Sequence, residues 1–344
     1  DHRDLHLSLR RQRQMCIRDR MLTELKISNF FMKVRTEPSL SLKAPVAVLG
    51  CGLVGSSWVA LFLHYGINVQ AWDPDQSARD SLNERIKNPM FQLASMAQKP
   101  KSPGVLSVHS DMSHAVRGVF FAQENVPEIV EIKNDVFVNF ECYAPSTSLI
   151  ASSTSGLTWS FLSSKMKNPE RLLTAHPFNP LHLIPLVEMY CPATETLDLA
   201  EKLYLKIGRV PIRLKREATG HIANRLASAL WREAVNIVAE GIADVEAVDS
   251  ALVNGPGLRW AVMGAHMTYH LGGGQGGMEN YLRHLGPSQV ERWAELGTPI
   301  LTKEICEALI AGVETQSGGR SFQELEKIRD EVLIKILQFR NEKT

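Results

Sequence analysis

PVAVLGCGLVGSSWVALFLHYGINVQAWDPD, residues 45–75, decides the fold of this chain. Val46 to Leu49 is a short apolar, β-branched run, the pattern of a strand buried on both faces. Gly50-Cys51-Gly52-Leu53-Val54-Gly55 follows at once, and Ser56 to Tyr65 reads as an apolar helix that Gly66 stops. Asn68 to Trp72 forms a second strand, with Asp73 at its tip. Strand, glycine turn, helix, strand and acid within some thirty residues are the parts of a dinucleotide site. Gly50 permits the turn, Gly52 lets a pyrophosphate approach the backbone, and Gly55 lets the helix pack closely on the sheet. The first turn, with Leu53 and Val54, offers N–H groups and a positive dipole end to that pyrophosphate. Asp73, 18 residues after Gly55, can accept the ribose hydroxyls and would repel a 2′-phosphate. NAD is therefore expected as the cofactor rather than NADP.

Size and charge bound the rest. A chain of 344 residues with 44% hydrophobic and 22% charged residues has room for two domains and a substantial core. Its net charge is +1, but the first twenty residues hold six Arg and three Asp, so the remainder carries 32 basic against 34 acidic residues. That balance argues against a nucleic-acid or membrane partner. No run of 18 apolar residues occurs, so neither a membrane partner nor a secretory leader is expected. Residues 1–40 read as an N-terminal extension, disordered or artefactual. DHRDLHLSLRRQRQMCIRDR has neither helix nor strand periodicity, QMCIRDR resembles translated adaptor sequence, and Met21 and Met32 are alternative starts. The five cysteines, Cys16, Cys51, Cys142, Cys191 and Cys306, form no CxxC and no zinc spacing. They read as reduced thiols in a cytoplasmic protein without a metal. Cys51 is either a redox-sensitive thiol or a small residue filling the glycine turn.

Beyond Asp73 the pattern alternates. Gln76 to Lys87 is a polar helix that Asn88-Pro89 should end, and Val105 to His109 and Val119 to Gln123 are strands around a short helix from Met112. Glu124-Asn125-Val126-Pro127-Glu128 is a strand-to-helix turn, of the kind that faces the ligand crevice in open α/β sheets. Leu149 to Ala151, Leu172 to Ala175, Leu183 to Tyr190 and Val210 to Leu214 complete the strands, and Thr194 to Ile207 is an amphipathic helix. Residues 41–215 thus form a Rossmann-type α/β domain with a doubly wound parallel sheet. From 216 to 344 the pattern is helical, with Ile222 to Glu240, Val245 to Val253 and Phe322 to Phe339 the clearest helices. This all-α domain is expected to bind substrate and pair into a homodimer. Gly272 to Gly277 reads only as a loop, following no strand and opening no helix.

A dinucleotide enzyme needs a group to move the hydroxyl proton, and histidine is the natural choice. His176 ends a strand and is fixed by Pro177 and Pro180; Glu188, twelve residues on, can return beside it. A buried carboxylate there would favour the imidazolium and orient the ring, as in a catalytic dyad; a solvated edge residue is the alternative. Ser155 and Asn224 are candidate donors to a substrate oxygen, against the plainer readings of helix cap and helix surface.

The motifs GCGLVG with Asp73, QENVPE, SSTSGL, HPFNP with LVE, and GHIANRL occur in that order from residue 45 to about 265. The set resembles the 3-hydroxyacyl-CoA dehydrogenase family. The resemblance implies His176 as general base, Glu188 as its partner, Ser155 and Asn224 as substrate-oxygen contacts, and Glu124 beside the nicotinamide. It implies NAD-dependent oxidation of a 3-hydroxy acid to the 3-oxo acid. The stretch between Asp73 and Val105 is short for the fatty-acyl enzymes, which argues against a CoA thioester. HIANRLASALWREAVNIV, GIADVEAVD, GPGLRWAVMG and TYHLGGGQGGM resemble the carnitine 3-dehydrogenase branch, and the λ-crystallin and L-gulonate 3-dehydrogenase branch more distantly. A quaternary ammonium calls for aromatic faces, for which Phe178, Trp231, Trp260 and Tyr269 are candidates, and Arg259 could hold a carboxylate. Acyl-CoA or gulonate oxidation, and a non-catalytic crystallin-like NAD binder, are the alternatives.

Overall fold

The computed structural model describes residues 44–96 and 102–342. The N-terminal extension, Cys16 and residues 97–101 lie outside the described residues. Two compact units emerge: one takes the described residues through Ile222 together with the segment from Arg329, and the other is Ala223–Ile328.

The first unit is built on an eight-stranded sheet. Its strands are β1 (Val46–Leu49), β2 (Val69–Trp72), β3 (Leu106–His109), β4 (Phe121–Glu124), β5 (Leu149–Ser152), β6 (Leu172–Pro177), β7 (Leu186–Tyr190) and β8 (Val210–Arg213), in spatial order 3-2-1-4-5-6-7-8. Its helices are α1 (Leu53–His64), α2 (Gln76–Arg85), α3 (Lys87–Met96), α4 (Met112–Ala115), α5 (Val130–Tyr143), α6 (Trp159–Leu162) and α7 (Thr194–Lys206). Successive strand residues point to opposite faces. Val46 and Val48 therefore join Trp58, Phe62, Leu203 and Tyr204 in one core, while Ala47 and Leu49 join Phe137, Phe140 and Leu162 in the other. β1 is buried on both faces, as its continuous apolar run requires.

Three local expectations change. Pro89 does not end a helix but sits in the first turn of α3, where proline's missing N–H costs nothing. Residues 272–277 lead into a helix: a single 3₁₀ turn, Gly274–Gly276, precedes one that begins at Gly277. The sheet is not wholly parallel. β1 to β6 run together, β7 is antiparallel to β6, and β8 is parallel to β7. Only eight residues separate Pro177 from Leu186, too few for the crossover that a parallel partner needs. The resulting hairpin sets His176 directly opposite Glu188.

The second unit contains α8 (Ala223–Ala239), α9 (Val245–Asn254), α10 (Pro256–Val262), α11 (Ala265–Gly272), α12 (Gly277–Glu295), α13 (Lys303–Ser317) and the start of α14 (Phe322–Glu342). Of its apolar side chains only Val235 and Val245 are buried. Leu226, Trp231, Trp293 and Ile310 stand in the open.

The latter part of α14 belongs to the first unit through a buried polar relay. His182, in the β6–β7 turn, lies 2.5 Å from the Gln92 side-chain oxygen, and Gln92 donates to Asp330 on α14 at 2.9 Å. Burial pushes the His182 imidazole down to about 4, although Asp330 pulls the other way. Its Nδ1 has no partner, so a second ring proton would find no acceptor. A histidine held neutral by the fold contributes its full stability above its unfolded value near 6.5 and loses it as pH falls toward 4. Stability is expected to fall by roughly 3 kcal/mol across that window from this residue alone. Denaturant unfolding of the wild type and His182→Gln at pH 7 and 4.5 checks it; equal losses in both would exclude His182 as the source.

Candidate active site

The β1–α1 turn has the shape of a phosphate cradle. Gly50 has φ +96°, and a Cβ there would meet the Asn125 carbonyl oxygen at 2.7 Å. A Cβ on Gly55 would fall 1.8 Å from the Gly50 oxygen, so this position binds helix to strand at backbone contact. A Cβ on Gly52 would meet nothing within 4 Å. Open space thus lies over the end of α1, whose N-cap Gly52 supplies no side-chain hydrogen bond. Asp73 stands beside this turn, its carboxylate accepting from Cys51 N at 2.7 Å and Asp75 N at 2.9 Å. An open, uncapped helix N-terminus flanked by a carboxylate at the next strand tip fits a dinucleotide. Burial, with Asp73 adding to it, pushes the Cys51 thiol up to about 12. Cys51 is fully buried as well, which fits a small residue filling the turn.

A cavity of about 250 Å³ opens beside the cradle, lined by Val54, Asn125, Val126, Glu128, Lys133, Ser153, Ser155, His176, Pro177 and Asn179. Val54 of the glycine turn and His176 of β6 therefore face one space. His176 is 4% exposed and Glu188 1%. The imidazole Nδ1 donates to Glu188 Oε2 at 2.9 Å. A carboxylate can only accept, so in the neutral ring Nδ1 is the nitrogen that carries the proton and Nε2 the one with the lone pair. The other carboxylate oxygen, Oε1, accepts from Ile222 N at 2.8 Å. The Phe178 ring meets the His176 ring edge-on at 6.3 Å.

The floor of the cavity consists of two polar clusters. Ser153 Oγ accepts from Trp58 and Gln123 and donates to Asn125, while the buried Tyr204 hydroxyl holds Gln123. In the second cluster Lys133, 1% exposed, pairs with Glu124 at 2.8 Å and Glu128 at 3.2 Å. Glu128 Oε1 accepts from Thr154 Oγ1 and from the Ser155 and Gly156 amides, which fixes the turn presenting Ser155. Burial pushes the Glu128 carboxyl up, but the Thr154 hydrogen bond and the Lys133 charge outweigh it and hold it below the usual range. Lys133 carried no recognisable signal in sequence, while Glu128 and His221 were given only as members of the QENVPE and GHIANRL motifs, without a role. A lysine inside α5 reads as helix surface until the fold buries it.

The sequence-derived residues divide accordingly. His176, Glu188, Ser155 and Phe178 come together in the first unit, alongside Val54. Glu124 sits beneath the cavity, fully buried, its carboxylate taken by Lys133, Ser152 and Val126 N. The carboxylate on the cavity wall belongs to Glu128 instead. Asn224 is in the first turn of α8, in the second unit. Trp231 lies on α8 in an apolar groove of about 210 Å³ with residues of α9 and α13. Arg259 and Trp260 are on α10, and Tyr269 on α11 packs against Tyr281. Among the described residues no cluster of His, Cys, Asp and Glu could hold a metal, and no helix is long and apolar enough to cross a membrane.

Comparison with known proteins gives the family. Residues 45–218 match the NAD binding domain of 3-hydroxyacyl-CoA dehydrogenase, and residues 220–320 match its C-terminal domain. The chain is 40% identical over 298 residues to an L-carnitine dehydrogenase of Bacillus cereus, covering 85% of this chain and 91% of that protein. It is 38% identical to an L-carnitine dehydrogenase of a Pseudomonas species, over 85% of this chain and 92% of the relative. Among solved structures it resembles 5-formyl-3-hydroxy-2-methylpyridine 4-carboxylic acid 5-dehydrogenase, an NAD+-dependent dismutase. The TM-score is 0.75 at 24% identity, over 87% of this chain and 98% of the other. That likeness supports the fold alone. With the cradle, the cavity and both halves of the family matched, the chain belongs to the 3-hydroxyacyl-CoA dehydrogenase family and is an NAD-dependent oxidoreductase acting on a CH–OH group.

Proposed function

We propose that this chain oxidises the hydroxyl of carnitine, or of a closely similar 3-hydroxy acid, to the ketone, with His176 as base. One observation carries the reading: an imidazole paired to a buried carboxylate lines the same cavity as the first turn of the cradle helix. NAD, when bound, accepts the hydride from the carbon that bears the hydroxyl. His176 Nε2 takes the hydroxyl proton as the carbon–oxygen double bond forms, and Glu188 offsets the charge of the resulting imidazolium. Ser155, on the same cavity wall, donates to the substrate oxygen. Glu124 acts through Lys133, and Glu128 and Asn125 face the cofactor. Phe178 offers the substrate an aromatic face.

Two observations favour a small substrate over a CoA thioester. The L-carnitine dehydrogenases named above match over nearly their whole length. The basic residues of α2 and α3 are also committed within the protein: Arg79 to the Asp73 and Pro74 carbonyls, Arg85 to the Cys51 carbonyl, and Lys87 to Glu84. NADH formation with carnitine, 3-hydroxybutyryl-CoA and gulonate tests the assignment. Carnitine is expected to give the highest kcat/KM. Turnover of either other substrate alone would overturn it, and bound NAD without turnover would leave a non-catalytic binder.

The protein acts as a homodimer through its helical unit. A unit of about one hundred residues with two buried aliphatic side chains lacks a core of its own. Its exposed Leu, Ile, Val and Trp side chains, and the groove around Trp231, form more apolar surface than a monomer ordinarily leaves in water. A second copy presents the same surface, as a two-fold interface requires. Sedimentation is expected to give a dimer at micromolar concentration, with Trp231→Glu weakening it; a stable wild-type monomer would contradict the reading. The described cysteines are all free thiols, in keeping with a cytoplasmic site of action.

A further inference from the structure

His221 is the sole non-glycine residue at positive φ among the described residues, at +49°. A side chain in that conformation is strained, and the preceding residue, Gly220 at φ +74°, shows that glycine serves in the same turn. The strain therefore calls for something the ring does. That ring is 3% exposed and stacks on His176 with centroids 4.9 Å apart and planes 15° apart. Its Nε2 donates to the Thr154 carbonyl at 3.3 Å, at the long end for such a bond. The next amide, Ile222 N, donates to Glu188 Oε1. One turn thus touches both members of the His176–Glu188 pair and the peptide just before Ser155.

We propose that His221 is a positioning residue for the dyad, its ring forming the wall that fixes the plane of His176. The proposal rests on the reading of His176 as the base. With Glu188 at Nδ1, Phe178 meeting the ring edge-on and His221 across one flat face, the imidazole cannot swing about its side-chain bonds. Nε2 is then the nitrogen left for the substrate. His221 itself does not compete for the proton. Its Nε2 already carries hydrogen toward Thr154, and its Nδ1 has no partner to accept a second N–H. Burial, and then the neighbouring His176, hold the His221 imidazole below the ordinary histidine range. Glu188 and Glu128 pull the other way without reversing this. A neutral ring can therefore lie against His176 even when His176 becomes a cation, where a second cation would repel it.

Three variants test this, assayed as NADH formation with carnitine alongside Tm and NAD affinity. His221→Asn suits the left-handed turn but removes the ring. It is expected to lower kcat about ten- to a hundredfold with NAD affinity and Tm little changed. His221→Phe restores a stacking face and is expected to recover most of that loss. In a His176→Gln background, His221→Asn should have no further effect, since residues acting as a unit are not additive. Wild-type kcat in His221→Asn, or no recovery with phenylalanine, would overturn the proposal. So would an equal further loss in the double variant. A wild-type rate in His176→Gln itself would instead remove the reading of His176 as base.

Discussion

His176→Gln is expected to lower kcat by about three to four orders of magnitude while leaving NAD affinity within about twofold. Glutamine matches the imidazole in reach and polarity but cannot take a proton at neutral pH. His176 stands on the cavity wall and not in the glycine turn, so the cofactor should bind as before. Stopped-flow reduction of NAD, paired with fluorescence titration of NADH, separates the two quantities. Equal loss of affinity and rate would point to a structural role for the ring. Normal kcat would exclude it as the base.

Gly55→Ala should have the largest effect on the fold. The added Cβ would sit 1.8 Å from the Gly50 oxygen and 2.9 Å from its carbonyl carbon. Both are backbone atoms, so no side chain can swing aside. Either α1 lifts from β1 or the turn opens, at a cost of about 3 kcal/mol or more. A fall in Tm of about 10 °C, with NAD binding lost, is the expected result. Gly52→Ala is the contrast, because its Cβ would meet nothing within 4 Å. That variant should keep its Tm and bind NAD more weakly, the methyl occupying the approach to the pyrophosphate. A weaker effect of Gly55→Ala than of Gly52→Ala on Tm would contradict this account of the turn.

Those glycines were also the most legible part of the chain. Residues 46–73 form one continuous unit whose propensity, turn chemistry and burial agree, and together these placed β1, α1 and β2. The direction of β7 could not be read in that way, because a short apolar strand looks the same in either direction. It follows from the length of the turn after Pro177, and with it comes the register that pairs His176 with Glu188. Glu124 shows a different limit. Its place at the end of β4 was legible, but the burial of Lys133 beneath the same turn was not, and that lysine takes the carboxylate away from the cavity. His221 was legible only as a member of the GHIANRL motif, with no role attached. A histidine after a glycine gives no sign of positive φ, and its partner His176 lies 45 residues earlier. Contacts made across the sheet by lone polar residues leave no period to detect.

Oxidation of carnitine carrying deuterium at C3 tests the central claim most directly. If carnitine is oxidised at its hydroxyl carbon in this cavity, with NAD as acceptor and His176 taking only the proton, the deuterium must appear at C4 of the NADH formed. A primary isotope effect should appear on the single-turnover rate. Unlabelled NADH, or no NADH from carnitine under conditions where NAD binds, would contradict it.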